Sequence, residues 1–284
     1  MRIRRAEEGD LLTLGEIFGT TVTYLTERYR PEQVGAVPLN PEDRLPIYRH
    51  LLATGAMFVA EDPEPIGFSA AVVRERVWFL SQLWVLPERH GRGAGVALLD
   101  EALAWGRGAS TFTVIASPHP GAQVLYLRAS MYPLWTQVEM TGKTASGEMP
   151  EGFGPLEEAD QAWVDDLDRD VRGIARPQDH PLWRASAEGL ALRREERPAG
   201  YVYVWPDGKV GPGAVKDPGD TPLLIAAAGS RAGGSMTVAV PSTNWAALRE
   251  LTREGFLPSG SNTFMSSRPL PDAARYLSSG GALA

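Results

Sequence analysis

An internal repeat is the feature that most constrains the fold of this chain. Residues 112–134, FTVIASPHPGAQVLYLRASMYPL, resemble residues 236–258, MTVAVPSTNWAALRELTREGFLP, and a constant offset of 125 sets residue 119 against 244 and residue 126 against 251. Each copy predicts a buried strand, a turn with proline, a helix and an aromatic-bearing continuation. Self-similarity over a domain-sized distance predicts duplication of one folding unit. Two unrelated α+β units with common patterns are the alternative.

The rest of the chain fits the same division. The segment TGKTASGEMPEGFGP is rich in Gly, Ser, Thr and Pro and lacks periodicity, as a linker does. We therefore expect an N-terminal domain over 1–142, a linker over 143–152 and a C-terminal domain over 153–284. Each half predicts a helical start, a hairpin region, a strand–loop–helix and a strand–helix–strand. This order indicates an α/β (α+β) fold, in which helices flank a mixed, mostly antiparallel twisted sheet.

Composition narrows the classes of function. The 284 residues include no cysteine, which excludes disulfides, thiolate metal sites and a cysteine nucleophile. The four histidines form no H-x-x-x-H pair, so we expect no metal. A net charge of −7 disfavours nucleic-acid binding, and no apolar run is long enough to span a bilayer. No apolar segment follows the basic start MRIRR, so we expect no signal peptide and a cytoplasmic protein.

A small, flexible and basic loop stands out against this acidic background. Residues 77–87, VWFLSQLWVLP, predict a buried strand, and the segment from Val96 to Trp105 predicts a helix with one apolar face. Between them lies ERHGRGAG. The first N–H groups of a helix have no internal partner, and glycines let the backbone approach an anion closely. The loop therefore predicts a phosphate site at a helix N-terminus, to which Arg89 and Arg92 add charge.

Other readings of the loop fit less well. No Lys follows the glycines as a P-loop requires, and the spacing of Gly91, Gly93 and Gly95 is not G-x-G-x-x-G. A glycine-rich turn that binds nothing is the remaining alternative.

The stretch LPERHGRGAGVALL resembles the acyl-CoA motif of the GNAT superfamily of N-acetyltransferases, Q/R-x-x-G-x-G/A, with His90 in the position of Gln or Arg. The resemblance covers most of residues 1–142. It implies that the strand before the loop separates from its neighbour, and that the pantetheine arm of acetyl-CoA pairs with exposed backbone in the gap. The residues implied in binding the acyl donor are Leu83, Trp84, Val85, Arg89, His90, Gly91, Arg92, Gly93, Ala94, Gly95 and Val96.

The resemblance also suggests a catalytic residue. Tyr126 takes the place of the Tyr in the family's Y-x-x-x-G-F, although Ser130-Met131 replaces Gly-Phe. Its hydroxyl would protonate the departing thiolate, while a backbone N–H near Val85 polarises the thioester carbonyl. Tyr132 is a competing candidate, and simple helix packing is the structural alternative for Tyr126.

The general base is less defined. Many relatives have a Glu on the strand before the loop, but residues 77–85 contain no acid, and Gln82 can only position a water. The acidic candidates are Glu27, Glu32, Asp43 and Glu75, and none is preferred. His119 is a further candidate base, although a turn role suits it better. The segment 24–44 has the composition of a lid over the acceptor pocket or of a surface loop.

The second half lacks the basic loop. At the matching place DPGDTP has two acids and two prolines, which repel a phosphate and remove amide donors, and Leu251 replaces Tyr126. We therefore expect a GNAT-like second domain that binds no acyl-CoA. For residues 263–284 we expect a strand, a turn and a short helix, then a tail that is either disordered or docked near the first domain's cleft.

Together these features predict an enzyme that transfers the acetyl group of acetyl-CoA directly to an amine of a small molecule or peptide. A non-catalytic acyl-CoA binder or sensor is the second hypothesis, and a duplicated structural scaffold is the third. The sequence does not distinguish a monomer from a homodimer.

Overall fold

The computed structural model describes residues 1–29, 40–144 and 147–283. The chain forms two compact units, Met1–Tyr132 and Pro133–Ala284. This division lies before the boundary expected at 142, because Gln137–Lys143 of the strand Tyr132–Lys143 pair with Ser235–Pro241 of the second unit. Part of the expected linker, residues 145 and 146, lies outside the described residues.

The first unit has the predicted mixture of strands and helices. Its sheet order is β1-β2-β3-β4-β5, antiparallel except for the parallel pair β4 and β5. The elements are β1 (Arg2–Arg5), α1 (Leu11–Tyr29), α2 (Leu45–Thr54), β2 (Gly55–Glu61), β3 (Pro65–Arg74), β4 (Val77–Val85), α3 (Ala94–Trp105), β5 (Thr111–Ala116) and α4 (Pro120–Arg128).

The core of this unit explains why its strands read as continuous apolar runs. Helices cover both faces of β2, β3 and β4, so neighbouring residues such as Val59 and Ala60 are both fully buried. Helix α1 contributes Leu11, Leu14 and Ile17, which recur at helical spacing and are at most 3% exposed. Pairing with β3 and burial of both faces hold β4, the strand that carries the site, in position.

Strands β4 and β5 separate before β4 ends. They pair only from Val77↔Thr111 to Leu80↔Val114, whereas β4 continues to Val85. The register of β4 against β3 also shifts between Ala70 and Ala71, which marks a bulge near Ser81. The gap that the family resemblance implies is therefore present, and one edge of β4 is unpaired from Ser81 onward.

The second unit repeats this plan. Its sheet order is β12-β6-β11-β10-β9-β8-β7, and β13 pairs with β10. The elements are β6 (Tyr132–Lys143), β7 (Phe153–Pro155), α5 (Gln161–Arg172), α6 (His180–Ser186), β8 (Glu188–Arg194), β9 (Arg197–Val204), β10 (Lys209–Val215), α7 (Thr221–Arg231), β11 (Ser235–Pro241), α8 (Trp245–Arg253), β12 (Leu257–Ser266) and β13 (Tyr276–Leu277).

The repeat extends to single hydrogen bonds. His119 caps α4 by accepting the N–H of Ala122 at 3.2 Å. In the second unit Asn244 caps α8 by accepting the N–H of Ala247 at 3.0 Å. The two caps occupy equivalent positions, because α4 in the first unit and α8 in the second are the corresponding helices of the repeat.

The helix ends match as well. The N–H of Met131 donates to Tyr126 O at 3.0 Å, and that of Phe256 donates to Leu251 O at 2.9 Å. Ser130 has a φ of 60°, the left-handed conformation that Gly255 adopts with a φ of 83° in the second unit. Ser130 thus takes up the turn that glycine makes in the family motif, at some conformational cost.

The tail does not follow the sequence-based expectation. Residues 276–278 pair with β10 and β11 inside the second unit, where Tyr276 and Leu277 are 3% and 1% exposed. The expected short helix is therefore wrong, because residues 271–278 form a turn and a strand. A disordered tail is also wrong for the described residues, since Ser278, Ser279 and Leu283 are buried. Apolar side chains at 276 and 277 favour burial in the unit's own sheet.

The junction between α3 and Trp78 gives a stability test. A Cβ on Gly106 would lie 2.1 Å from Trp78 Cδ1, and Trp78 is fully buried. We expect Gly106→Ala to lower the free energy of unfolding by about 1–3 kcal/mol through overpacking. Urea unfolding measures it. Gly108→Ala is the control, since nothing lies within 4 Å of its Cβ position, and equal losses in both variants would refute the packing account.

Candidate functional site

A cavity of about 420 Å³ opens where β4 and β5 separate. It is lined by the end of β4, the loop that follows, the start of α3 and helix α4. The structure brings together almost all of the predicted site residues here, namely Leu83, Trp84, Val85, Arg89, His90, Gly91, Gly93, Ala94, Gly95, Val96 and Tyr126. Arg92 is the exception, because its exposed side chain is not part of the lining.

The loop presents a row of unbonded backbone donors. The N–H of His90 donates to Pro87 O and that of Ala97 to Gly93 O. Between them, the N–H groups from Gly91 to Val96 have no acceptor within residues 1–29, 40–144 and 147–283. Gly91 and Gly93 have φ values of 74° and 88°, which only glycine adopts without strain. This alternation turns successive amides toward one point, as in an anion-binding nest.

The edge of β4 adds backbone groups on the other side. The N–H of Leu86 donates to Ile66 O at 2.9 Å, so Leu86 points toward β3. Because direction alternates along a strand, Trp84 also faces β3, whereas Leu83 and Val85 direct their N–H and C=O groups into the gap. Of the three residues predicted to pair with a bound arm, Leu83 offers a free N–H and C=O and Val85 a free N–H, while the backbone of Trp84 is used in the sheet.

His90 reaches back across the gap. Its Nε2 lies 2.8 Å from Val85 O, and because a carbonyl can only accept, Nε2 carries the hydrogen. The hydroxyl of Thr21 lies 3.3 Å from the same oxygen. His90, which stands where the motif has Gln or Arg, therefore places its imidazole on the carbonyl oxygen of Val85.

The side chains around the cavity are positive or neutral. Arg89 and Arg128 line it, and no Asp or Glu is among the described residues of the lining. Arg89 also donates to Asp62 Oδ2 at 3.2 Å, and this carboxylate is about half exposed. The cavity therefore favours an anionic ligand although the whole chain is acidic.

Tyr126 is well placed to remain protonated. It is 5% exposed and lines the cavity from α4. Burial raises the pKa of its hydroxyl above the usual range. The competing candidate, Tyr132, is 57% exposed and is not in the lining.

The candidate carboxylates do not meet at the cavity. Glu27 and Asp43 are exposed and absent from its lining, and Glu32 lies outside the described residues. Glu75 lies in the turn before β4, at the opposite end of that strand from Val85, and it is absent from the cavity lining. The Gln82 side chain is turned to Trp84, whose Nε1 donates to Gln82 Oε1 at 2.6 Å.

His119 combines a capping role with a place in the cavity. Its Nδ1 accepts the N–H of Ala122, so the lone pair that a base would need is engaged. Burial, with His90 and Arg28 nearby, lowers the pKa of His119. The structure therefore assigns it the turn role that the sequence favoured.

Sequence reasoning missed two residues of this region. The rings of Tyr24 and Tyr29 lie 5.9 Å from His90 and His119 respectively, and the two imidazoles are 5.7 Å apart. Both tyrosines belong to the end of α1, in the segment considered as a lid. The rest of that segment, residues 30–39, lies outside the described residues. Helical spacing alone gives no sign that these rings reach a loop more than 60 positions away.

The described residues offer neither a membrane-spanning helix nor a metal cluster. Among the helices so covered, none is both long and apolar enough to cross a membrane. In the same part of the chain, no group of three or more His, Cys, Asp or Glu could hold a metal ion.

Comparison with known proteins agrees with this geometry. Residues 22–130 match the family model of the acetyltransferase (GNAT) family. No curated protein matches the sequence. The family match lies within the first unit, and the resemblance seen in the sequence is confirmed.

Solved structures extend the likeness to the whole chain. A candidate acetyltransferase from Pyrococcus horikoshii is 18% identical, with a TM-score of 0.78 over 100% of this chain and 94% of that one. A GCN5-related N-acetyltransferase from Sphaerobacter thermophilus is 15% identical, with a TM-score of 0.63 over 94% and 96%. A tandem GNAT protein from the clavulanic acid biosynthesis pathway is 16% identical, with a TM-score of 0.61 over 94% and 99%. The predicted fold of two tandem GNAT-like domains is confirmed.

The cap at His119 gives a pH-dependent prediction. Its pKa is lower in the fold, so the unfolded chain takes up the proton first as the pH falls below about 6.5. The stability that the neutral ring contributes is therefore present at neutral pH and is lost as the pH falls. We expect His119→Asn, which caps without titrating, to lose less free energy of unfolding than the wild type between pH 7.5 and 5.5.

Urea unfolding at the two pH values measures this difference. His119→Ala removes the cap and should cost about 1 kcal/mol at pH 7.5. An identical pH dependence in the wild type and in His119→Asn would show that the imidazole does not titrate in this role.

Proposed function

We propose that the protein is an N-acetyltransferase, whose first domain binds acetyl-CoA and transfers the acetyl group directly to an amine of a small molecule or peptide. The observation that carries this proposal is the row of unbonded amides from Gly91 to Val96 at the start of α3. Six donors that converge in a positive cavity match the diphosphate of coenzyme A.

The gap between β4 and β5 supports the rest of the donor. With the diphosphate on the loop, the pantetheine arm lies along β4 and pairs with the backbone that Leu83 and Val85 direct into the gap, like an added strand. The imidazole of His90 occupies Val85 O in the free protein, so binding of the arm exchanges one donor for another there. The residues proposed to bind acetyl-CoA are Leu83, Trp84, Val85 and the loop from Arg89 to Val96. Trp84 contributes its side chain, and Arg92 contributes only its positive charge, because its side chain lies outside the lining.

The chemistry follows from the residues at the inner end of the gap. The amine attacks the thioester carbonyl, the tetrahedral intermediate collapses, and the bond from carbon to sulfur breaks. A backbone N–H that β4 directs into the gap polarises the carbonyl, and the Tyr126 hydroxyl donates a proton to the departing thiolate. The raised pKa of Tyr126 keeps that proton in place at neutral pH. The amine loses its proton to water, because no carboxylate of the described lining is available, and water returns a proton to the Tyr126 oxygen.

The second domain has a different role in this proposal. Its loop at 217–220 forms a short turn in which Asp217 accepts the N–H of Gly219 with its own side chain. The carboxylates of this turn repel a diphosphate, and its Gly219 N–H is already engaged by Asp217. We therefore propose one acetyl-CoA per chain, bound by the first domain.

One observation favours a second candidate function. The lack of a carboxylate in the described lining also suits a protein that binds acyl-CoA without catalysis. Calorimetric binding of acetyl-CoA with no thiol release across a panel of amines would select this candidate, whereas thiol release that depends on one amine class selects the enzyme. A location in the cytoplasm remains part of the proposal.

Gly93 tests the amide row. A valine there cannot adopt a φ of 88° without strain, so its N–H and those beside it turn away from the anion. We expect Gly93→Val to weaken acetyl-CoA binding by roughly 100-fold or more in calorimetry, since two or more charge-assisted bonds are lost. Gly234→Val, which carries a similar strain in the second unit with open space around it, should leave affinity unchanged. Wild-type affinity in Gly93→Val would place the site elsewhere.

Tyr126 tests the proton transfer. We expect Tyr126→Phe to lower kcat by about 100-fold, the low end for general acid catalysis, while the Kd for acetyl-CoA stays within about twofold. Thiol release and calorimetry measure the two quantities. Tyr132→Phe, at an exposed position, is the control. An unchanged kcat in Tyr126→Phe would show that Tyr126 only packs in the helix and transfers no proton.

A further inference from the structure

The second unit has the same gap as the first, but it is filled. Strands β10 and β11 pair only at Lys209↔Thr237 and Val210↔Val238, although β10 continues to Val215. A register shift in β10 between Val210 and Gly213 repeats the bulge of β4. In the first unit the corresponding opening is the cavity described above.

The chain's own residues 275–278 lie in this second gap and bond to both of its walls. On the β10 side, Leu277 pairs with Gly213 and Tyr276 with Ala214, and the N–H of Val215 donates to Arg275 O at 3.1 Å. On the β11 side, the N–H of Ser278 donates to Ala239 O at 2.9 Å. A short peptide strand thus satisfies the backbone groups that the separation of the two strands leaves unpaired.

Side chains of the unit hold this segment in place. The helix cap Asn244 donates from Nδ2 to Tyr276 O at 3.0 Å, a second use of the residue that corresponds to His119. The buried Arg176 donates from Nη1 to Leu283 O at 3.0 Å. Tyr276, Leu277 and Ser278 are at most 3% exposed.

The walls of the gap are shaped to this strand. Gly211 has a φ of 117°, and a Cβ there would lie 2.1 Å from Ser278 O. A glycine at this point lets the strand approach β10 closely. By contrast, the neighbouring turn at 217–220 offers acids instead of a row of free amides.

We propose that the gap between β10 and β11 is a receptor for an extended peptide strand, which the chain fills with its own residues 275–278. Recognition is by backbone pairing with both walls, together with an apolar side chain at 277 and a small one at 278. In the second unit a peptide strand fills the gap, whereas in the first unit the corresponding gap is an open cavity. This proposal does not depend on the proposed enzymatic function.

The experiment uses the full chain, folded before it is cut. A protease recognition sequence is inserted between the exposed Pro269 and the half-buried Leu270, and the purified protein is cleaved and diluted to micromolar concentration. We expect the released segment to stay bound in gel filtration, and to exchange slowly for a fluorescent synthetic peptide of residues 270–283.

A pair of peptide variants tests the recognition. Leu277→Asp places a charge in the buried position and should reduce uptake of the peptide at least 100-fold. Gly281→Asp adds the same charge at an exposed position with nothing within 4 Å of its Cβ, and should bind like the native peptide.

Three results would overturn the proposal. The first is loss of the cut segment within minutes at micromolar concentration. The second is equal uptake of the Leu277→Asp and Gly281→Asp peptides. The third is a second equivalent of acetyl-CoA bound once the segment has been exchanged away, since the gap would then accept the thioester arm instead of a peptide. Failure of acetyl-CoA to bind at all bears only on the proposed function.

Discussion

The separation of β4 from β5 beyond Leu80 is the constraint on which the site depends. A strand inside a sheet that loses its neighbour exposes N–H and C=O groups, and these must find a partner in water, in a ligand or in the protein. The bulge near Ser81 and the buried faces of β4 hold that edge in position. The following loop then turns into α3 with its first amides unbonded, so two sets of backbone donors meet at one cavity.

The two units resolve the same separation in different ways. The first leaves the edge open beside a loop with left-handed glycines and arginines, whereas the second closes it with residues 275–278 beside an acidic turn. The shared caps at His119 and Asn244 show how little the scaffold differs. The two units therefore share one frame and differ in the loop sequence and in one added strand.

Much of this arrangement was predictable from sequence because it is local. The strand, the Gly-rich loop and the apolar helix follow one another within about 30 residues, so periodicity and glycine spacing were enough to locate the cavity lining. The clustering of Tyr24 and Tyr29 with the two histidines was not predictable, because it depends on where α1 packs. The short helix expected before the tail was wrong for a similar reason, because these residues form a strand. Pairing of Leu277 with Gly213 is a long-range contact that no local pattern encodes.

Hydrogen exchange of the backbone amides tests the central claim most directly, because it reads the donors themselves. The claim is that the amides from Gly91 to Val96, together with Leu83 and Val85, are the groups that hold the acyl donor. With saturating acetyl-CoA, we expect slower exchange in these two segments and unchanged exchange at 217–222 in the second unit. Unchanged exchange at 91–96, with protection appearing elsewhere in the chain, would contradict the account.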